Sequence, residues 1–182
     1  MGARARSGRP RPELRPQCAS RHRGARGHAR DGGAFVAAAH VVKASDADLE
    51  LLYPGERPED VCARWAAAGP ELVVLTRGPS GLSAWRTGRA EVSVPGVPVE
   101  VSDTVGAGDT VTAALLAGLG SVGALAPGGA IAAVGDADLA GILRRAATAA
   151  AITCSRAGAN PPTVDEVDAL LPEAGATPSP GT

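Results

Sequence analysis

Aromatic residues are almost missing from this chain, with two Trp, one Tyr and one Phe among 182 residues. Its core therefore has to be filled by Ala, Val, Leu and Gly, small side chains that suit α/β layers in which helices lie close on a sheet. Lysine is scarcer still, with Lys43 its sole representative, which excludes a G-x-x-x-x-G-K-[ST] phosphate loop. Three cysteines (Cys18, Cys62 and Cys154) form no C-x-x-C pair, and His22, His28 and His40 add no metal-ligand spacing. Neither a disulfide framework nor a zinc site is indicated. No apolar run nears the roughly 20 residues of a membrane span. The basic N-terminus lacks the apolar stretch of a secretory signal. One ordinary domain, cytoplasmic by default, is the expectation.

Charge divides the chain unevenly. Residues 1–30 hold nine Arg against one Glu, whereas residues 31–182 hold nine Lys or Arg against 18 Asp or Glu. Residues 1–33 are rich in Arg, Pro and Gly, with no aromatic residue and no hydrophobic period, the composition of a disordered segment. An Arg-rich arm could neutralise nucleic-acid phosphates, but the stacking aromatics of single-strand binders are missing. A flexible tail is the blander reading. A third is a frameshift or misplaced start near residue 33, because Arg- and Pro-rich text is what a GC-rich gene yields out of frame.

From Ala34 onward the rhythm is α/β. A short helix to His40 leads into an apolar strand, Val41–Lys43. Ser45 and Asp48 open a helix with a capping-box pattern, and Pro58 suits the first turn of another that runs to Gly69. Leu72–Thr76 is a continuous apolar run, as in a buried parallel strand. Leu82–Arg86 and Ala90–Val94 flank a Thr-Gly-Arg turn as a hairpin, and Val92–Val101 as a whole is β-rich. Helices are expected over Val111–Leu119, Asp136–Thr153 and Thr163–Leu171, the last opened by Thr163 and Glu166 as a second capping box. Residues 172–182 form a tail. Gly118-Leu-Gly120-Ser-Val-Gly123 satisfies G-x-G-x-x-G literally, but follows a helix instead of a strand and reads as a glycine-rich helix end.

The most informative stretch is Asp103-Thr-Val-Gly-Ala-Gly-Asp-Thr110. A glycine-flanked turn at a helix start aims free N–H groups and the positive end of the helix dipole at one spot, which favours an anion. The same turn delivers a carboxylate, Asp109, and a site for phosphate alone would avoid that charge. Removing a proton from a hydroxyl while stabilising a phosphoryl group requires both. Asp109 could equally serve as a helix N-terminal cap.

These residues, with Val42–Leu49, the Thr76-Arg-Gly-Pro-Ser-Gly81 turn and Ala157-Gly-Ala-Asn-Pro-Pro162, resemble the ribokinase-type (PfkB) carbohydrate kinases, most closely the fructokinase-like members. The resemblance spans about Phe35–Leu171 and implies the C-terminal part of such a kinase domain over residues 34–171. The expected fold is α/β, a ribokinase-like, mainly parallel sheet with flanking helices, truncated by loss of the N-terminal half and lid. The resemblance makes Asp109 the general base and assigns the anion hole to Gly106, Ala107 and Gly108. It places Thr76, Gly78, Gly81 and Asn160 along the nucleotide, though each is also plain turn chemistry. Asp103 and Val105 fall in a loop that holds a monovalent cation such as K⁺ in many members, and Asp103 could otherwise lead an ordinary turn. Ser45 and Asp48 occupy an Asn-x-x-Glu position that arranges water around phosphates and Mg²⁺. Asp48 shortens the usual Glu by one methylene, and a helix cap is its alternative.

The implied activity is phosphoryl transfer from ATP, with Mg²⁺, to a sugar hydroxyl. A base without a held acceptor should turn over little, so weak ATP binding without sugar phosphorylation is expected of this chain alone. A nucleoside acceptor and a non-catalytic nucleotide-binding or interaction fragment are the alternatives. Self-association is expected if half the sheet is missing.

Overall fold

The computed structural model describes residues 35–171. The segment 1–33 and the tail 172–182 lie outside the described residues. Residues 35–38 are helical, and strand β1 (Val41–Ser45) follows. Helix α1 (Asp46–Leu52) starts on Ser45, whose Oγ accepts from Asp48 N–H at 3.0 Å while Asp48 Oδ2 accepts from Ser45 N–H at 3.0 Å. The expected capping box is thus formed, which satisfies amides the helix cannot pair internally. Pro58 sits at the start of α2 (Pro58–Ala66), where its missing N–H costs nothing.

Strand β2 (Leu72–Thr76) lies parallel to β1, with Ser45 opposite Thr76. Strands β3 (Leu82–Trp85) and β4 (Val92–Val94) form the hairpin, antiparallel to each other and to β2. The four strands are ordered β1-β2-β3-β4, with one parallel and two antiparallel pairings. Parallel character within the described residues therefore resides in β1–β2 alone.

Strand alternation sends neighbouring side chains to opposite faces. Leu72 and Val74 face one core with Leu82, Ala84, Val92 and Val94, and helices α3 (Ala107–Ser121) and α4 (Asp136–Cys154) cover it. Val73, Leu75 and Ala44 face the other, with Leu49, Val61, Trp65 and Trp85. The result is a helix–sheet–helix sandwich. Helix α5 (Val164–Leu170) opens with the second capping box, Thr163 with Glu166. Its Val167 packs on Ala149 and Ile152 of α4.

Small residues let α3 and α4 approach closely. A Cβ on Gly118 would stand 2.8 Å from Ile142 Cγ2, so a larger residue there would force the helices apart. The literal G-x-G-x-x-G pattern therefore spans the end of a packed helix: Gly118 and Gly120 lie inside α3, and Gly123 follows its end.

One expectation needs correction. The β-rich run Val92–Val101 is a strand only as far as Val94; residues 95–100 carry no ladder. Pro95 and Pro98 lack the N–H a ladder needs. The segment instead forms a wall of the cavity described next.

Candidate active site

The site lies at the C-terminal ends of β1 and β2, the end of a parallel pair where α/β sheets take ligands. Facing it is the turn into α3. Gly106 is the N-cap residue, with φ 82° and ψ −6°, and no side chain caps the helix. Ala107 N–H bonds the Thr104 carbonyl at 3.3 Å, and Thr110 N–H bonds the Gly106 carbonyl at 2.9 Å. The N–H groups of Gly106, Gly108 and Asp109 have no partner among the described residues. Of the expected trio Gly106, Ala107 and Gly108, the Ala107 amide is thus engaged, and that of Asp109 is open beside the two glycines.

Asp109 is the third residue inside α3, where its charge suits the dipole. Its exposed carboxylate accepts no hydrogen bond and joins no ion pair among the described residues. Capping does not occupy it. Thr110 behind it is buried and bonds Thr153 of α4 through their hydroxyls at 3.0 Å, which locks the first turn of α3 in place.

Asp103 plays a different part. Its Oδ1 accepts from Val105 N–H and its Oδ2 from Gly158 N–H, both at 3.0 Å, and these bonds hold its pKa below the usual carboxylate range. Ser102 and Asp103 N–H both reach the Cys154 carbonyl at the end of α4. Asp103 therefore straps the signature turn to the 157–160 loop. The contact is tight, since a Cβ on Gly106 would lie 2.9 Å from Ala159 Cβ. Asn160 is exposed on that loop, its N–H bonded to the Gly158 carbonyl at 2.9 Å, and Val105 projects outward with 59% of its surface exposed.

Between these elements lies a cavity of about 480 Å³, within the range of small-molecule sites. Thr76, Gly78 and Gly81 line one side, residues 96–99 and Val101 a second, and Ala107, Gly108 and the end of α4 a third. Only Thr76, Thr104 and Cys154 bring polar side-chain atoms to it, and no charged residue lines it. Such a wall suits a flat, largely apolar ring system. The structure thus gathers Thr76, Gly78, Gly81, Ala107 and Gly108 round one cavity, whereas Asp109, Gly106, Asp103, Val105, Asn160, Ser45 and Asp48 do not line it. Ser45 stands opposite Thr76 on the neighbouring strand, and Ser45 and Asp48 are bonded to each other. The Asp48 pKa is lowered, first by the hydrogen bond from Ser45 and least by the charge of Lys43.

Lys43 of β1 lies beside this turn without a motif to mark it. A Cβ on Gly108 would lie 3.1 Å from its Nζ, so the ammonium lies next to Gly108. A lysine inside an apolar strand was the available signal.

The profile of the pfkB family carbohydrate kinases matches residues 22–166. The chain belongs to this family. The match begins inside the Arg-rich segment, ahead of Phe35, where the motif resemblance starts. A fructokinase of Rhizobium leguminosarum bv. trifolii is 42% identical over 85 residues, 47% of this chain and 26% of that protein. Among solved structures, the Vibrio cholerae O395 fructokinase with fructose, ADP and calcium ion is 26% identical, with a TM-score of 0.58, over 72% of this chain and 40% of that one. The Salmonella enterica aminoimidazole riboside kinase, complexed with aminoimidazole riboside and an ATP analog, shares the fold at 22% identity. Its TM-score is 0.64, over 78% of this chain and 45% of that one. The chain spans about a quarter of that curated fructokinase and less than half of these solved kinases. The α/β ribokinase-like architecture with helices flanking the sheet is therefore present, in part of its full length.

Proposed function

We propose that this chain carries the phosphoryl-transfer half of an ATP-dependent carbohydrate kinase, with a fructose-like sugar as acceptor. The observation that supports it best is the Asp109 carboxylate, which caps nothing and follows Gly108, a wall residue of the apolar cavity, in the turn that carries the open amides. The nucleotide base lies in the cavity along Thr76, Gly78 and Gly81, with Asn160 near it on the 157–160 loop. The γ-phosphoryl group faces the amides of Gly106, Gly108 and Asp109. Those amides offset charge that builds on the transferred group, and Asp109 takes the proton of the attacking hydroxyl.

Among the described residues no cluster of three or more His, Cys, Asp or Glu forms a ready-made metal cage. That suits Mg²⁺ brought in on the nucleotide, because this ion keeps several waters and needs few protein carboxylates. Asp48, with one oxygen left outside its capping box, would hold its water, and the ion would supply charge neutralisation. A monovalent cation such as K⁺ belongs at the loop of Asp103 and Val105. No helix among the described residues is long and apolar enough to cross a membrane, and a cytoplasmic location is part of this reading. So is self-association, because β1 pairs with β2 alone among the described strands.

The 182-residue chain alone should bind ATP without phosphorylating sugars, since nothing described here grips an acceptor. Turnover that is abolished by Asp109→Asn would overturn that expectation. A chimera with the N-terminal part of the Rhizobium fructokinase should phosphorylate fructose and lose the activity on Asp109→Asn. A folded, ATP-binding chimera that phosphorylates no hexose, or that stays active as Asp109→Asn, contradicts the proposal. Preference for nucleosides over hexoses would favour a nucleoside kinase.

A further inference from the structure

We infer that the cavity takes purine nucleoside triphosphates without choosing between adenine and guanine, so that GTP binds this chain as well as ATP does; this rests on the reading of the site as a nucleotide site. A protein tells the two bases apart by their polar edges. Adenine presents an amino donor where guanine presents a carbonyl acceptor. Rejecting one of them requires a group of fixed sign, a carboxylate or a cation, whose hydrogen bond the wrong base leaves unmade. No such group lines the cavity among the described residues. Its polar side chains are those of Thr76, Thr104 and Cys154. A hydroxyl donates or accepts as it rotates, and a thiol does both weakly.

The rest of the wall is apolar. Ala147, Ala150 and Ala151 stand on one face of α4, spaced i, i+3 and i+4. Val97, Pro98 and Val99 come from the segment that carries no ladder beyond β4. Methyl and ring carbons hold a base by its faces, and in those adenine and guanine are alike. The peptide groups of Val97 and Val99 have no backbone partner among the described residues. Each offers one donor and one acceptor, and so meets either edge. Asn160 stands outside the wall, and its amide likewise carries both signs. The rim stays wet, with Val99 37% and Val101 57% exposed. A base edge without a protein partner there keeps its water and loses little on entry. Ring size is the selection that remains. A pyrimidine covers less of the apolar wall, so its nucleotides bind less tightly.

Calorimetric titration of the 182-residue chain with ATP, GTP, UTP and inorganic tripolyphosphate tests this. ATP and GTP should bind within about 10-fold of each other, whereas a site built to read a polar edge separates such ligands by about 10⁴-fold or more. UTP should bind about 3- to 10-fold more weakly than ATP, and tripolyphosphate more weakly than all three. Val99→Ala, a change at the exposed rim, should weaken ATP and GTP by the same factor and leave tripolyphosphate unchanged. A separation of ATP from GTP by more than about 10-fold overturns the inference alone. So does a Val99→Ala protein in which only one of the two is weakened. UTP or tripolyphosphate as tight as ATP shows that no base is seated in the cavity, and also contradicts it. If none of the four binds, the nucleotide site itself fails and this inference fails with it.

Discussion

Replacing Gly106 by Ala perturbs the junction on which the site depends. At φ 82° a side chain is strained wherever it points, at about 1–2 kcal/mol for an L-residue in the left-handed region. The new Cβ would also meet Ala159 Cβ at 2.9 Å and its Cα at 3.2 Å, well inside a normal carbon contact. Overpacking of that kind costs about 1–3 kcal/mol. The expected loss is about 2–5 kcal/mol, a fall in Tm of roughly 4–20 °C for a chain of this size. Urea or thermal denaturation of the 182-residue protein reads it directly. Ala159→Gly removes the nearer clash, so in that background the Gly106→Ala cost should shrink to the backbone component, about 1–2 kcal/mol. The two sites must therefore be non-additive. A Gly106→Ala protein as stable as its parent, or an equal cost in both backgrounds, would refute the packing of the signature turn on the 157–160 loop.

Acid should loosen this junction, the cap of α1 and the contacts of α5 together. Asp103, Asp48, Glu166 and Asp168 all have folded pKa values below their ordinary ones. The stability they contribute is fully present above the unfolded values and is lost as pH falls below about 4 and through the folded values. Urea midpoints measured from pH 6 down to pH 3 should drop, and Asp103→Asn should be weaker at pH 6 but lose less on acidification. Arg86 is 3% exposed and bonds the Val134 carbonyl and the Asp136 carboxylate, which ties β3 to the start of α4. Arg86→Ala should cost about 2–4 kcal/mol in chemical denaturation, because a buried carbonyl loses a charged donor; a change below about 0.5 kcal/mol would contradict this. Burial pushes the Cys62 thiol up to about 12, so it should resist alkylation at pH 8 until the protein unfolds. Rapid native labelling at Cys62 would show that this core is open.

Much of the fold is legible from local chemistry. Both capping boxes, at Ser45–Asp48 and Thr163–Glu166, form where their spacing places them, because a cap needs only a side chain and a backbone three residues away. The hairpin and the long helix from Asp136 follow the same logic. Residues 95–101 mislead because valines favour strands, while Pro95 and Pro98 deny the ladder its donors. The site divides likewise. The signature octapeptide carries its own geometry, so the glycine-flanked turn that starts α3 can be named from it. The strap from Asp103 to Gly158 joins residues 55 positions apart and has no local signal. Lys43 reaches Gly108 only because β1 presents that face to α3, a fact of tertiary packing. Its one sequence cue is a charge where a buried strand would place an aliphatic residue.

The most direct measurement is the ATP affinity of the 182-residue chain beside that of Asp109→Asn, by calorimetric titration. A carboxylate that faces the phosphates repels them, by about 1 kcal/mol at 4 Å in water. The account predicts saturable ATP binding that tightens several-fold in Asp109→Asn. No ATP binding by the parent, or weaker binding in the variant, would contradict the assignment of this turn as a phosphoryl-transfer site.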